Sequence, residues 1–210
     1  RLEAVLEKRD KVAEEYFNNI GEELNTLNDN LFKNVYSIEE VLLTLNKRFK
    51  KVLDIGCGAG RNLPILSKIT DKIYGVDISP KMLHLSEHIC KKNNLNYELK
   101  IGDIYNLPFE DGYFDCAFIN MVMHHISNPS RGIGEIKRCL ANGGKLIFID
   151  LLSHSNEEMQ TKYADLWLGF SDDEIESYFT KNGFTIENKI VKEDKTNNLN
   201  GVIILVLNKN

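Results

Sequence analysis

Short apolar segments alternate with helical stretches from Lys51 onward, and this alternation constrains the fold more than any other feature of the chain. Five such segments, mostly followed by Gly or Asp, occupy residues 52–55, 73–76, 97–101, 114–119 and 145–149. This pattern is typical of a parallel sheet with helices on both faces. Two more apolar segments, 184–191 and 202–207, are separated by a polar connector of hairpin length. The sequence therefore predicts an α/β fold with a doubly wound, mainly parallel seven-stranded sheet.

Composition excludes several classes of protein. With 42% hydrophobic and 27% charged residues, the chain has the make-up of an ordinary globular protein. Its net charge of -5 argues against a nucleic-acid binder, which needs clustered Lys and Arg. The apolar run Val202–Leu207 is too short to span a bilayer, and the N-terminus has no apolar signal region. The four cysteines have no metal-ligand spacing and suit a reducing compartment. We therefore expect a cytoplasmic protein without a nucleic-acid partner, a membrane partner or a bound metal.

The strongest local motif is VLDIGCGAG, in which an apolar strand runs into Gly56, Gly58 and Gly60 and then into a helix starting near Arg61. Glycine allows a sharp turn and close approach of a ligand, while a helix N-terminus presents free N–H groups. Asp77 closes the second strand, where a carboxylate can accept hydrogen bonds from both hydroxyls of a ribose. The motif thus predicts a nucleoside-bearing ligand, although glycine-rich turns also occur for packing alone.

With these motifs, residues 52–152 resemble the class I S-adenosylmethionine-dependent methyltransferases, which have a Rossmann-like fold. The stretches GDIYNLPFEDGYFD and HHISNPSRGIGEIKRCLANGGKLIFID are similar to the methyltransferase-11 group, which includes quinone-biosynthesis enzymes. The resemblance implies S-adenosyl-L-methionine as cofactor, S-adenosyl-L-homocysteine as product and a small molecule as methyl acceptor.

The resemblance also implies a set of cofactor-binding residues. It assigns the methionine end of the cofactor to Asp54 and to the loop that contains Gly56, Cys57, Gly58 and Gly60. It assigns the ribose to Asp77, and the adenine and the rest of the cofactor to Ile78, Gly102, Asp103, Ile104 and Asn120.

A dinucleotide-dependent oxidoreductase shares the strand, the glycine loop and the acidic residue. Its fingerprint requires a third glycine where this chain has Arg61, whose side chain would crowd a pyrophosphate. S-adenosylmethionine has no pyrophosphate, so the loop favours the methyltransferase.

Methyl transfer requires mainly proximity, orientation and exclusion of water, and a base is needed only for a protonated nucleophile. His124, His125 and His154 are the candidate catalytic residues, since they follow the fourth and fifth strands. The alternative is that they cap helices or fill space. A metal-chelating role is open to them but lacks a helical i, i+4 ligand pair.

The chain of 210 residues is expected to form a single domain. Apolar residues recur at helical intervals before residue 47, among them Val12, Phe17 and Leu24. The predicted parts are an N-terminal helical lid, a cofactor-binding core, a lid insertion and the terminal strands of the sheet, at residues 1–46, 47–150, 151–180 and 181–210.

The predicted lid carries the candidate substrate residues Tyr16, Tyr163, Trp167 and Phe170. One interpretation is an aromatic pocket for a flat or cationic acceptor. The alternative is that Tyr163, Trp167 and Phe170 form one apolar helical stripe that packs against the sheet. Acidic side chains outnumber basic ones in residues 1–46 and 151–180, which favours a neutral or cationic acceptor.

The sequence therefore predicts a methyltransferase that moves a methyl group to a small molecule by in-line displacement. Two alternatives from another class stay open. One is the ligand-sensing half of a regulator, because the chain also resembles methyltransferases fused behind repressors, and the other is a cofactor-binding module without activity.

Overall fold

In a computed structural model, the chain is described at residues 2–21, 23, 35–194 and 199–210. Its strands are β1 to β7, at Phe49–Ile55, Thr70–Asp77, Tyr97–Ile101, Phe114–Asn120, Leu140–Leu151, Phe184–Lys192 and Val202–Lys209. They form one seven-stranded sheet in the order β3-β2-β1-β4-β5-β7-β6. Neighbours from β3 to β5 run parallel, whereas β7 pairs antiparallel with both β5 and β6. The predicted mainly parallel, Rossmann-like sheet is therefore confirmed.

The α-helices in the described part of the chain are α1 to α7, at Leu2–Ile20, Ile38–Leu45, Leu63–Leu66, Pro80–Lys92, Pro129–Cys139, Glu158–Lys162 and Asp172–Lys181. Capping side chains and prolines determine where several of these helices begin. The Ser79 hydroxyl accepts a hydrogen bond from the Met82 N–H, and Pro80 follows directly at the first helical position. Asn128 and Pro129 begin α5 in the same way.

The sheet is covered on both faces, so alternate residues of each central strand enter different cores. One core joins Leu53 and Phe148 to Ile136 of α5 and Phe179 of α7. The other joins strand residues to α2, α3 and α4 through Val52, Phe118, Val41, Leu66 and Leu83. Strands that are buried on both faces appear in a sequence as continuous apolar runs, and for this reason the strands could be predicted from the sequence.

Two sequence-based expectations of helix are corrected. The helix after the glycine loop begins at Leu63 rather than near Arg61 and ends at Leu66. Residues 163–170 are not helical, so the helical stripe of Tyr163, Trp167 and Phe170 is wrong. Ala164 and Gly169 adopt left-handed φ angles of 59° and 72°, which interrupt a helix there.

Part of the predicted lid lies outside the described residues, namely residues 1, 22 and 24–34, including Leu24. Among the residues that are described, no helix is both long and apolar enough to cross a membrane. All four cysteines are buried free thiols.

Candidate functional site

A cavity of about 190 Å³ opens at the carboxyl ends of β1, β2, β3 and β4. This is the edge of an α/β sheet where ligands bind, at the point where the strand order reverses. Here the reversal lies between β1 and β4, which are hydrogen-bonded neighbours. The cavity therefore occupies the position that the fold itself makes available for a ligand.

The loop after β1 forms the floor of the cavity. Gly56 has a φ of +66°, and a Cβ added there would lie 2.5 Å from Val122 Cγ2. Its N–H donates to the Val76 carbonyl at 2.8 Å. A Cβ on Gly60 would lie 2.8 Å from the Ser86 Cα, so this glycine is needed for packing against α4. Gly60 is not among the residues lining the described part of the cavity.

Asp77 ends β2 with its carboxylate fixed beside the glycine loop. One oxygen accepts from the Gly58 N–H at 2.8 Å, and the other accepts from the Ser79 N–H at 2.9 Å. Burial raises the pKa of Asp77, and these N–H donors partly offset that effect. The two backbone bonds hold the carboxylate in a fixed orientation at the cavity wall.

Asp54 is 1% exposed and is not among the described residues that line the cavity. Neither of its carboxylate oxygens has a hydrogen-bond partner within the described ranges. Burial and the nearby charge of Asp77 raise the pKa of Asp54 well above its ordinary value. A neutral, protonated carboxyl group is therefore the form that this position favours.

The predicted adenine residues lie together at the cavity wall, which includes Ile78, Gly102, Asp103 and Ile104. Asp103 is exposed, and one of its carboxylate oxygens accepts from the Tyr105 N–H at 2.9 Å. Asp103 therefore keeps further acceptor capacity for a ligand.

The opposite end of the cavity is polar and contains a single turn of 3-10 helix, Met123–His125. The His124 Nδ1 lies 2.5 Å from an Asp150 oxygen, and the other oxygen of Asp150 accepts from the Met123 N–H at 2.9 Å. The His124 Nε2 and the His125 Nδ1 each lie 3.6 Å from the Asp165 Oδ1. Three ionisable side chains thus converge at this end, with Asp150 behind them.

These neighbours shift one another's protonation. Burial lowers the pKa of His124, but the charges of Asp150 and Asp165 outweigh it and raise the pKa to about 9. Burial raises the pKa of Asp165 to about 6, despite the charge of His124. Burial and the charge of His124 hold the pKa of His125 well below its ordinary value. In the ligand-free chain His124 is therefore the charged histidine of the pair.

Helix α1 covers this end of the cavity and contributes Asp10, Tyr16 and Phe17 to its wall. The Phe17 ring contacts His125 edge to face, with 4.8 Å between ring centroids. The Tyr16 hydroxyl is buried with no partner in the described structure, and burial raises the pKa of Tyr16 to about 12. Across the cavity, the Tyr36 hydroxyl donates to the Asn120 Oδ1 at 2.8 Å.

Most of the residues singled out from sequence line this one cavity: Tyr16, Gly56, Cys57, Gly58, Asp77, Ile78, Gly102, Asp103, Ile104, Asn120, His124, His125 and Tyr163. The structure does not bring Asp54, Gly60, His154, Trp167 or Phe170 to its described wall. Trp167 and Phe170 pack in the core instead. The Nδ1 of His154 accepts from the Asn156 N–H at 3.2 Å.

Sequence reasoning missed the cavity residues Asp10, Phe17, Tyr36 and Asp165. Asp165 carried one usable signal, since it is an acidic residue between aromatics in the stretch YADLW. Phe17 directly follows Tyr16 and is predicted only as an apolar helical residue, whereas Asp10 and Tyr36 are distant in sequence from every motif.

The fold and the cavity define a class of protein that binds a nucleoside-bearing cofactor at the carboxyl edge of a parallel sheet. Residues 53–148 match the family model described as a methyltransferase domain. A demethylmenaquinone methyltransferase from Thermotoga maritima is 29% identical over 174 residues, covering 78% of this chain and 73% of that protein. An uncharacterized 37.1 kDa protein of transposon TN4556 from Streptomyces fradiae is 30% identical over 158 residues, covering 73% of this chain and 39% of that protein.

The crystal structure of a SAM-dependent methyltransferase from Aquifex aeolicus shares the fold, with a TM-score of 0.72 and 22% identity. The match covers 89% of this chain and 96% of that one. These matches mark residues 53–148 as similar to a methyltransferase domain, and most of the chain is similar to a demethylmenaquinone methyltransferase and shares the fold of a SAM-dependent methyltransferase. It spans about two fifths of the length of several curated relatives that it matches.

Proposed function

We propose that this chain transfers a methyl group from S-adenosylmethionine to a small-molecule acceptor. One observation carries the proposal: the glycine loop, the Asp77 carboxylate and the polar group around His124 all line a single cavity. A cofactor at one end and an acceptor at the other would then share an enclosed space. Proximity and orientation of this kind account for much of the rate of a displacement reaction.

The residues present fit the cofactor. Gly56 and Gly58 line the cavity with left-handed φ angles of 66° and 53°, and Asp77 offers oxygens beside them. When bound, the cofactor supplies an electrophilic methyl group on a sulfonium. We assign cofactor binding to the lining residues predicted from sequence, and to Asp54 an indirect role through the loop, since it does not itself line the cavity.

The chain's own residues position the acceptor and exclude water. Helix α1 closes the polar end as a lid and is held by hydrogen bonds of Asp10 with Ser127, Asn18 with Ser79 and Asn19 with Lys81. Tyr16, Phe17 and Tyr163 supply aromatic surface, while Asp10 and Asp165 supply negative charge. Aromatic faces beside carboxylates favour a neutral or cationic acceptor.

Proton handling, where the acceptor needs it, falls to the polar end of the cavity. His124 and His125 line the cavity and stay the proposed groups. His154 does not line its described wall, and burial lowers the pKa of His154. We therefore withdraw His154 from the proposed catalytic set.

Calorimetric titration with S-adenosylhomocysteine tests the cofactor, and transfer of a labelled methyl group to a fractionated cell extract tests the activity. We expect one equivalent of the cofactor product to bind and a labelled small molecule to form. Absence of binding would overturn the assignment of the cofactor. Binding without any labelled product would instead identify a cofactor-binding module, the alternative from the other functional class.

A further inference from the structure

The geometry points to a divalent transition-metal site at the polar end of the cavity, with His124, His125 and Asp165 as its protein ligands. One ligand atom from each residue lies within 4.8 Å of the others. The Asp165 Oδ1 is 3.6 Å from both the His124 Nε2 and the His125 Nδ1. Ligands at zinc bond lengths in a tetrahedral site lie roughly 3.3 Å apart, so only a small inward movement is needed.

Asp165 is the independent sign that a ligand belongs here. It is 4% exposed and lines the cavity, and both of its carboxylate oxygens lack a hydrogen-bond partner within the described chain. A buried carboxylate without hydrogen-bond donors is costly, and the two histidine nitrogens at 3.6 Å are too far away to serve as donors, so proteins compensate for such a group with a cation or with closer donors. A metal ion between Asp165 and the two histidines supplies this compensation.

The surroundings of His124 match those of a metal-bound histidine. Its Nδ1 shares a hydrogen bond with the buried Asp150, which orients the ring and leaves the Nε2 facing Asp165. A carboxylate behind a ligating histidine is the common way in which proteins fix its tautomer. Asp150 is itself held by the Met123 N–H.

His125 is held beside the site by a backbone contact. Its Nδ1 donates to the carbonyl oxygen of Ala164, the residue before Asp165, at 3.2 Å, so a bound ion would displace a proton from this nitrogen. Backbone hydrogen bonds connect the segment 164–167 to the 3-10 turn Met123–His125. The N–H groups of Leu166 and Trp167 both donate to the His124 carbonyl, at 2.9 and 3.1 Å. The three ligands are therefore held together by backbone hydrogen bonds as well as by packing.

Charge and donor type select the kind of ion. Two neutral imidazoles with the carboxylates of Asp150 and Asp165 sum to two negative charges, which a divalent cation balances. Two nitrogens and one carboxylate oxygen suit zinc, iron(II), cobalt(II) or nickel(II) better than magnesium or calcium. Three protein ligands leave a coordination position toward the cavity, where the oxygen or sulfur of an acceptor can bind. This use of the ion rests on the proposed function and would take the place of proton handling by the two histidines, whereas binding of the ion does not depend on the proposed function.

A second pair of histidines, at the surface, could bind the same ions, and the experiment has to exclude this binding. His84 and His88 are exposed one turn apart on α4, and such a pair can bind transition metals at the surface. The experiment is therefore done in the His84→Ala, His88→Ala double variant of the full chain, which keeps the buried cluster intact.

Equilibrium dialysis with Zn²⁺ and the visible spectrum of the Co²⁺ form test the site. We expect one ion per chain in the double variant and intense cobalt bands of a four- or five-coordinate N,O site. Adding Asp165→Asn or His125→Ala should weaken binding about 100-fold, and adding Asp150→Asn should weaken it about 10-fold to 100-fold. Binding that disappears with His84 and His88, or that Asp165→Asn leaves unchanged, would overturn the proposal.

Two measurements separate this result from the proposed function. Calorimetry with S-adenosylhomocysteine shows whether each variant keeps its folded cofactor site. Methyl transfer at full rate by the chelator-dialysed chain, with no ion bound, would support the proposed function and refute a role of the ion in binding the acceptor. Stoichiometric ion binding by a chain that binds no cofactor product would support the metal site and overturn the proposed function.

Discussion

The carboxylate of Asp10 accepts two hydrogen bonds from Ser127, one from its backbone N–H at 3.0 Å and one from its hydroxyl at 2.7 Å. These residues are 117 positions apart, on α1 and on the segment that follows β4. The same hydroxyl also lies 3.1 Å from the Tyr105 hydroxyl. Because α1 covers the polar end of the cavity, this contact fixes the helix where an acceptor would bind.

Replacing Asp10 with Ala should release α1 from the rest of the fold. The loss of two hydrogen bonds to a half-buried carboxylate should lower the free energy of unfolding by about 1–3 kcal/mol, as measured by urea denaturation. The KM for the acceptor should rise more than kcat falls, because a loosened helix binds the acceptor less well. Glu15→Ala, at an exposed position of the same helix, is the control. Equal stability of the two variants would contradict the role given to Asp10.

Gly56 should tolerate no side chain, for two separable reasons. Alanine at a φ of +66° is strained by about 1–2 kcal/mol, and its Cβ would also lie 2.5 Å from Val122. Gly143 has a similar φ of +70° with no described atom within 4 Å of an added Cβ, so Gly143→Ala reports the strain alone. We expect Gly56→Ala to lose more stability than Gly143→Ala and to lose affinity for S-adenosylhomocysteine, measured by denaturation and calorimetry.

A second substitution tests the contact with Val122. The Gly56→Ala, Val122→Ala double variant removes the methyl groups that the new Cβ would meet. We expect Gly56→Ala to be less stable than Gly143→Ala because of the contact with Val122. The double variant should regain this difference in the free energy of unfolding. No recovery would show that the loop conformation, rather than the contact with Val122, determines the need for glycine.

The sheet was predictable from sequence because its central strands are buried on both faces and therefore appear as continuous apolar runs. Residues 52–55 and 73–76 lie within β1 and β2, and the glycine loop follows β1 as expected. Parallel strands have their carboxyl ends at one edge of the sheet. The topology alone therefore predicts that the residues just after each strand lie close together. This is why Gly56, Asp77 and Asn120 could be placed in one site.

The polar end was not predictable, because long-range packing assembles it. Sequence proximity pairs Asp150 with His154, whereas the structure pairs Asp150 with His124 across adjacent strands. A spacing of four and three residues suggests a helix for Tyr163, Trp167 and Phe170, but left-handed residues interrupt it. The turn that results carries Asp165 to the histidines, and no local pattern encodes that contact.

Asp77→Asn should weaken binding of S-adenosylhomocysteine at least tenfold, about 1.4 kcal/mol, because an amide offers one acceptor oxygen where the carboxylate offers two. The raised pKa of Asp77 sets the direction of the pH effect. As the pH falls toward this pKa, the carboxylate gains a proton and loses acceptor capacity, so the affinity of the native chain should fall. Calorimetry at several pH values should show this dependence in the native chain and not in Asp77→Asn. Asp71→Asn, at the opposite end of β2 and exposed, should match the native chain at every pH.

Asp54 should make the ligand-free chain less stable as the pH rises. Its pKa is raised well above the ordinary value, so between the two pKa values the folded chain holds a proton that the unfolded chain has released. Where the folded state binds more protons, the free energy of unfolding falls with increasing pH. Asp54→Asn removes this titration while keeping the shape of the side chain. Urea denaturation from about pH 4 to about pH 8 should show the stability of the native chain falling relative to Asp54→Asn. If the free energy of unfolding varied with pH in the same way in both proteins, Asp54 would be ionised in the fold and would have a hydrogen-bond donor. Asp71→Asn is the exposed control, and its stability should not diverge from that of the native chain.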